Sequence, residues 1–242
     1  FLQVPSFGGG PASTLTATPP APPSATFTFK YYMHGDKIGY WLWYWSAGTG
    51  TYSGTLTALT GTYDGTSASF VSGEKQSNGN QAWKSGTIDL LDNSISGTGR
   101  MVLLYAKSFN TGANGDVCFQ RMSMDINGTV TDLSPPSSTS TVWKGQSSGA
   151  FGIALDDDMV PDWEDGSLSF NTVNTTVYTN GPWSYRTGQV PSGCSNTGPC
   201  QEDGDDGSYY MYCETSNNDN SNMYWNFRYA FACTTNTFTI PA

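Results

Sequence analysis

Two dense aromatic runs lie side by side between residues 25 and 45, in the stretch ATFTFKYYMHGDKIGYWLWYW. Thr26, Phe27, Thr28, Phe29, Lys30 and Tyr31 alternate hydroxyl or charged side chains with aromatic ones, the period-two pattern of a strand with one buried face. Residues 39 to 45 are almost wholly aromatic, as in a strand buried on both faces. His34, Gly35, Asp36 and Lys37 supply turn chemistry between the runs, so the stretch reads as a hairpin. Two strands alone are marginal in water, and a hairpin this apolar needs a second sheet from the rest of the chain. The expected fold class is all-β: an antiparallel, jelly-roll-like β-sandwich, one main domain with Pro/Gly/Ser-rich linkers.

Composition supports that expectation. Aromatic residues reach 14% and charged residues only 12%, which suits short strands and turns rather than amphipathic helices. Strand signals recur at residues 26 to 33, 38 to 46, 51 to 57, 67 to 72, 85 to 91, 100 to 109 and 116 to 126, then at 167 to 178, 207 to 215, 222 to 232 and 235 to 240. Residues 1 to 25 read as a short apolar strand and a Gly/Pro-rich linker, either a spacer or an O-glycosylated tract. Residues 127 to 150 repeat that composition and read as a Ser/Pro linker between a first half, 26 to 126, and a second, 151 to 242.

The formal charge of −10, with ten scattered Lys and Arg, argues against nucleic acid as a partner. The chain has no apolar run long enough for a helical membrane span. Five cysteines, sequons at Asn127 and Asn174 and no CxxC spacing point to a secreted, extracellular protein with both sequons glycosylated. A local bridge between Cys194 and Cys200 is the cheapest disulfide, and Cys118, Cys213 and Cys233 then leave one over. His34 is the only histidine, no GxSxG elbow accompanies it, and no phosphate-cradling glycine loop occurs. The expectation is therefore no enzyme and no organic cofactor. Two acidic clusters, residues 156 to 165 and 202 to 206, place hard oxygen ligands at short spacing on Gly-containing loops, which suits a structural Ca²⁺.

Several of these segments resemble the MAM domain, the adhesion module of meprins, neuropilins and receptor phosphatases. FTFKYYMHGDKIGYWLWYW is similar to one of its strand pairs, Trp83 with Ile88-Asp89-Leu90 to its "W...VDL" strand, and residues 101 to 117 to its closing strands. Asp162-Trp163-Glu164-Asp165-Gly166 resembles its "DFEDG", Thr197-Gly198-Pro199 its "TGP", and residues 207 to 216 its "GYYLYVETS". Those last motifs open the family's domain but follow here, so the halves stand in permuted order. The resemblance implies a non-catalytic jelly roll and a cation near Asp203, Asp205 or Asp206. The family's closing acidic pair aligns with Gln120-Arg121, while a literal match, Ile153-Ala154-Leu155-Asp156-Asp157, occurs in the second half, which adds Asp156 and Asp157 to the candidate ligands.

Permuted halves also suggest self-assembly into a filament or homo-oligomer. Residues 151 to 242 of one chain would complete residues 26 to 126 of the next, or the strand carrying Phe1, Leu2, Val4 and Phe7 would join a neighbour's sheet edge. Folding back within one chain gives a monomer instead. Alternation sets Tyr40, Leu42 and Tyr44 on one face and Trp41, Trp43 and Trp45 on the other. Three neighbouring tryptophans make a core, a subunit interface or a platform for stacking sugar rings. The expected function is an extracellular adhesive, self-assembling glycoprotein module, with a lectin-like carbohydrate-binding module as the alternative.

Overall fold

The computed structural model describes residues 21–35, 38–47, 54–107, 116–139, 142–146, 183–190, 198–204, 206–214 and 229–242. In chain order the strands are β1 (Ala25–His34), β2 (Ile38–Ala47), β3 (Gly54–Ala58), β4 (Gly61–Tyr63), β5 (Thr66–Ala68), β6 (Val71–Ser72), β7 (Lys84–Asp89) and β8 (Gly97–Lys107). They continue with β9 (Asp116–Ile126), β10 (Thr129–Asp132), β11 (Trp143–Gln146), β12 (Trp183–Arg186), β13 (Tyr210–Glu214), β14 (Tyr229–Thr234) and β15 (Phe238–Ile240). No helix occurs among the described residues.

The first sheet runs β12-β13-β9-β1-β7-β4-β5, with β10 also on β9. The second runs β11-β14-β8-β2-β3, with β15 on β8 and β6 on β2. Every pairing in both sheets is antiparallel. The protein is thus an antiparallel β-sandwich, as its alternation pattern requires.

The two aromatic runs do not form the expected hairpin. β1 pairs with β7 and β9, whereas β2 pairs with β3, β6 and β8, so each is an interior strand of a different sheet. The physical reason is area: side by side in one sheet they would share a face, but in opposed sheets they bury those faces against each other. Phe27, Phe29 and Tyr31 of β1 meet Tyr40, Leu42 and Tyr44 of β2 in the main core. The Tyr40 ring stands edge-on to Phe119 at 4.8 Å and to Tyr31 at 5.6 Å. Such pairs each add about 0.5–1.5 kcal/mol beyond their area. A Cβ on Gly86, which is in register with Phe29, would overlap the Phe29 ring, so that position is held small by packing.

Strands from the far end of the sequence complete both sheets. β13 pairs with β9 through Met211↔Phe119 to Glu214↔Asp116, and β14 pairs with β8 through Tyr229↔Ala106 to Cys233↔Val102. The two halves therefore meet within one chain. The stretch read as a Ser/Pro linker, residues 127 to 150, also needs correcting, because β10 and β11 lie inside it. Its few apolar residues anchor it: Leu133 and Trp143 are buried, and Trp143 Nε1 donates to Leu133 O at 2.9 Å. Composition averaged over the segment conceals those two anchors.

Candidate binding groove on the first sheet

The outward face of the first sheet changes character along β1. Thr26, Thr28 and Lys30 are half-buried, whereas Tyr32 and His34, on the same face, are buried beneath two loops. The loop of residues 73–83 and the segments 188–190 and 198–204 form that cover. Tyr32, Trp83, Cys118, Val190 and Tyr210 pack as a small core under it. Its polar groups are tied down individually. The Tyr32 hydroxyl donates to Asn78 O, Trp83 Nε1 to Gln201 O at 3.1 Å, and the Tyr210 hydroxyl to Gly188 O at 2.7 Å. His34 Nδ1 sits 2.8 Å from Gln76 O and so ties down the loop end.

Glu202 is the cover's main anchor. Its buried carboxylate accepts from Gly188 N at 2.7 Å and Gly207 N at 2.6 Å. Burial pushes its pKa up, but backbone N–H groups, those of Gly188 and Gly207 among them, hold it below the usual glutamate value.

Where this cover ends, β9 kinks. The β1–β9 register shifts between Thr28 and Lys30, and Arg121 on β9 takes a φ of 47°, the signature of a bulge that redirects a side chain. Gln120 Oε1 accepts from Asp203 N at 2.7 Å, and its Nε2 donates to Ser208 O at 3.3 Å. Arg121 Nε lies 3.0 Å from Asp203 Oδ2, and its Nη2 donates to Asp206 Oδ2 at 2.6 Å. The Asp206 carboxyl is held low first by Ser208, which donates to it, and then by Arg121. Residues 120 and 121 thus hold the 203–208 loop upright beside the β9–β10 hairpin. Between loop and hairpin lies an open groove of about 620 Å³, lined among others by Arg121, Ser123, Val130, Asp132, Pro136 and Tyr209. Val130 on its wall is 64% exposed and is the one exposed large hydrophobic residue among those described.

The expected site residues distribute as follows. Asp203 and Asp206 come together, but around Arg121, whose guanidinium supplies the positive charge a calcium ion would bring. The described donor set therefore does not fit Ca²⁺. Asp156, Asp157, Asp205, Asn174, Cys194, Phe1, Leu2, Val4 and Phe7 lie outside the described residues. Asn127 occupies an exposed turn with a φ of 52°, and its Oδ1 accepts from Ser24 N at 3.0 Å. Cys200 is half-buried, its backbone N donating to Gly79 O at 2.9 Å. Cys118, Cys213 and Cys233 are all buried, in three different clusters. Trp41, Trp43 and Trp45 do share the outer face of the second sheet, as alternation requires. Trp41 and Trp43 are buried there, however, with Phe70 stacked on Trp41 at 3.9 Å. Buried rings cannot stack on a sugar, so Trp41 and Trp43 offer no platform there, while Trp45 is half-buried.

Sequence reasoning passed over Gln120, Arg121, Val130 and Tyr209. One signal was present: Gln120-Arg121 stands where the MAM-like pattern has its acidic pair. Comparison with protein-family models, with curated proteins and with solved structures finds no match for this chain.

Proposed function

We propose that the chain is a non-catalytic extracellular adhesion module, similar to a MAM domain with permuted halves, and that a second copy of the chain docks in the groove on the first sheet. The observation that carries this reading is the exposure of Val130 beside Pro136, Tyr209 and Arg121, since an apolar centre with aromatic and arginine neighbours is the composition of interface hot spots. The MAM likeness is supported by the meeting of the two family-like halves in one sandwich. Contact between copies is assigned to exposed surface and to the Phe1 to Phe7 segment.

Light scattering after size exclusion tests the groove. The native chain is expected to exceed its 26.0 kDa monomer mass at high micromolar concentration. Val130→Asp is expected to restore the monomer without changing the unfolding midpoint. A native chain that stays monomeric throughout overturns the reading.

A second reading, glycan binding in the same groove, is favoured by the mixed lining of Ser123, Ser134 and Asp132 with Tyr209 and Pro136, which suits a polyol with one apolar face. A glycan array probed with the native chain and with Tyr209→Ala separates the two. Binding to one sugar class that disappears in the variant supports the lectin reading.

A further inference from the structure

A second pocket, of about 340 Å³, opens where the chain crosses from β5 in the first sheet to β6 in the second. Its inner wall is Tyr31 and Tyr63, two core residues, and its rim carries Lys75 and Lys84. Backbone geometry fixes both lysines. Lys84 opens β7 in register with Tyr31 on β1. Lys75 N and Gln76 N both donate to Met33 O, at 2.9 and 3.0 Å, and the buried Gln76 side chain accepts from Met33 N at 2.8 Å.

The charges here are unbalanced in a chain that is otherwise strongly acidic. Lys84 is bridged to Asp64, but half-buried Lys75 enters no ion pair among the described residues. Burial, and then repulsion from Lys84, lower the Lys75 pKa. One negative and two positive side chains leave the pocket one positive charge in excess. A partly desolvated ammonium without a counterion is costly, and an anion placed between the lysines relieves that cost. Thr66 and Ser72 add hydroxyls, and Phe70 adds an apolar wall.

We propose that this pocket binds the carboxylate of a sugar acid, with the ring lying along Phe70 and the carboxylate on Lys75. A single negative charge matches the excess. Its volume, near the lower end for small-ligand sites, suits one ring rather than a chain of them.

Calorimetric titration of the full chain at low salt tests it, using sodium glucuronate, the uncharged methyl ester of glucuronate, and sodium acetate. Glucuronate is expected to bind at least about tenfold more tightly than the ester or acetate, and Lys75→Gln to lower its affinity by about tenfold. Asp64→Asn is expected to raise it about threefold, by freeing Lys84 from its carboxylate. Asp64 holds a φ of 49° ahead of Gly65 in a two-residue turn, a position that asparagine favours, so this variant folds. Glucuronate binding unchanged by Lys75→Gln, equal binding of the ester, or no heat with glucuronate would each overturn the proposal.

Discussion

Outward residues of the second sheet include Trp41 and Trp43 on β2, Val102 and Leu104 on β8, and Phe231 and Cys233 on β14, all of them buried. The first sheet's outward face is built oppositely. A rung of hydroxyls crosses five of its strands through Ser67↔Thr62, Thr62↔Thr87, Thr87↔Thr28 and Thr28↔Ser123, and Asp132 on β10 extends it. The Thr28 and Ser123 hydroxyls meet at 2.8 Å. One sandwich thus carries apolar residues on three of its four sheet faces, while the fourth carries this rung of hydroxyls and is apolar only beneath its loop cover. The hydroxylated face costs little to leave in water, which is why the groove can open on it. The tryptophan face is a second core.

The largest effect expected from this contrast is at Trp43. Trp43→Ala should lower the unfolding free energy by about 3–5 kcal/mol in urea titration, the usual cost of truncating a buried tryptophan. A loss below about 1 kcal/mol would show that the second sheet's outer face is surface after all.

Glu202→Gln should cost about 2 kcal/mol, because it breaks two charge-assisted bonds under the loop cover. The same carboxylate gives a pH signature. Its folded pKa lies below the unfolded value, so its contribution is complete above that value and is lost as pH falls through the folded one. Native-chain stability followed downward from about pH 5 should fall more steeply than that of the Glu202→Gln variant, which lacks this titration. Parallel curves would remove Glu202 from the role.

Arg121→Ala should cost under about 1 kcal/mol, since this ion cluster is partly exposed and screened by salt. Freed of Arg121, Asp203 and Asp206 become available to a cation. Millimolar Ca²⁺ should therefore raise the thermal midpoint of the variant and leave that of the native chain unchanged. The smallest effect belongs to the hydroxyl rung. Thr87→Ala should stay within about 0.5 kcal/mol of the native chain, as an exposed substitution on a paired strand does.

The inner and outer faces of β2 were legible in its alternation alone, because period two fixes which side chains share a face whatever the pairing. Partner choice was not legible. Whether β1 lies beside β2 or opposite it depends on how much total area each arrangement buries, a sum over residues as distant as Phe119 and Met211. The strands β4 with β5 and β9 with β10 had a local signal, the dipeptides Asp64-Gly65 and Asn127-Gly128. All four residues hold positive φ, between 49° and 82°, as two-residue hairpin turns require. Asn127-Gly128 drew attention only as a glycosylation site. The groove stayed hidden because it needs Arg121 aligned with a loop more than eighty residues away.

The late pairing of β13 with β9 and of β14 with β8 has a consequence for biosynthesis. At ribosomal rates of roughly 5–20 residues per second, β9 emerges on the order of ten seconds before the strand that will cover its edge. For that interval a nascent chain presents two unfinished apolar sheets, each bordered by unpaired backbone groups. Neighbouring chains on one polysome then compete with the chain's own C-terminal segment for the same edges. Yield of the folded protein should therefore depend on translation speed and on holdase chaperones more than the stability of the finished sandwich suggests.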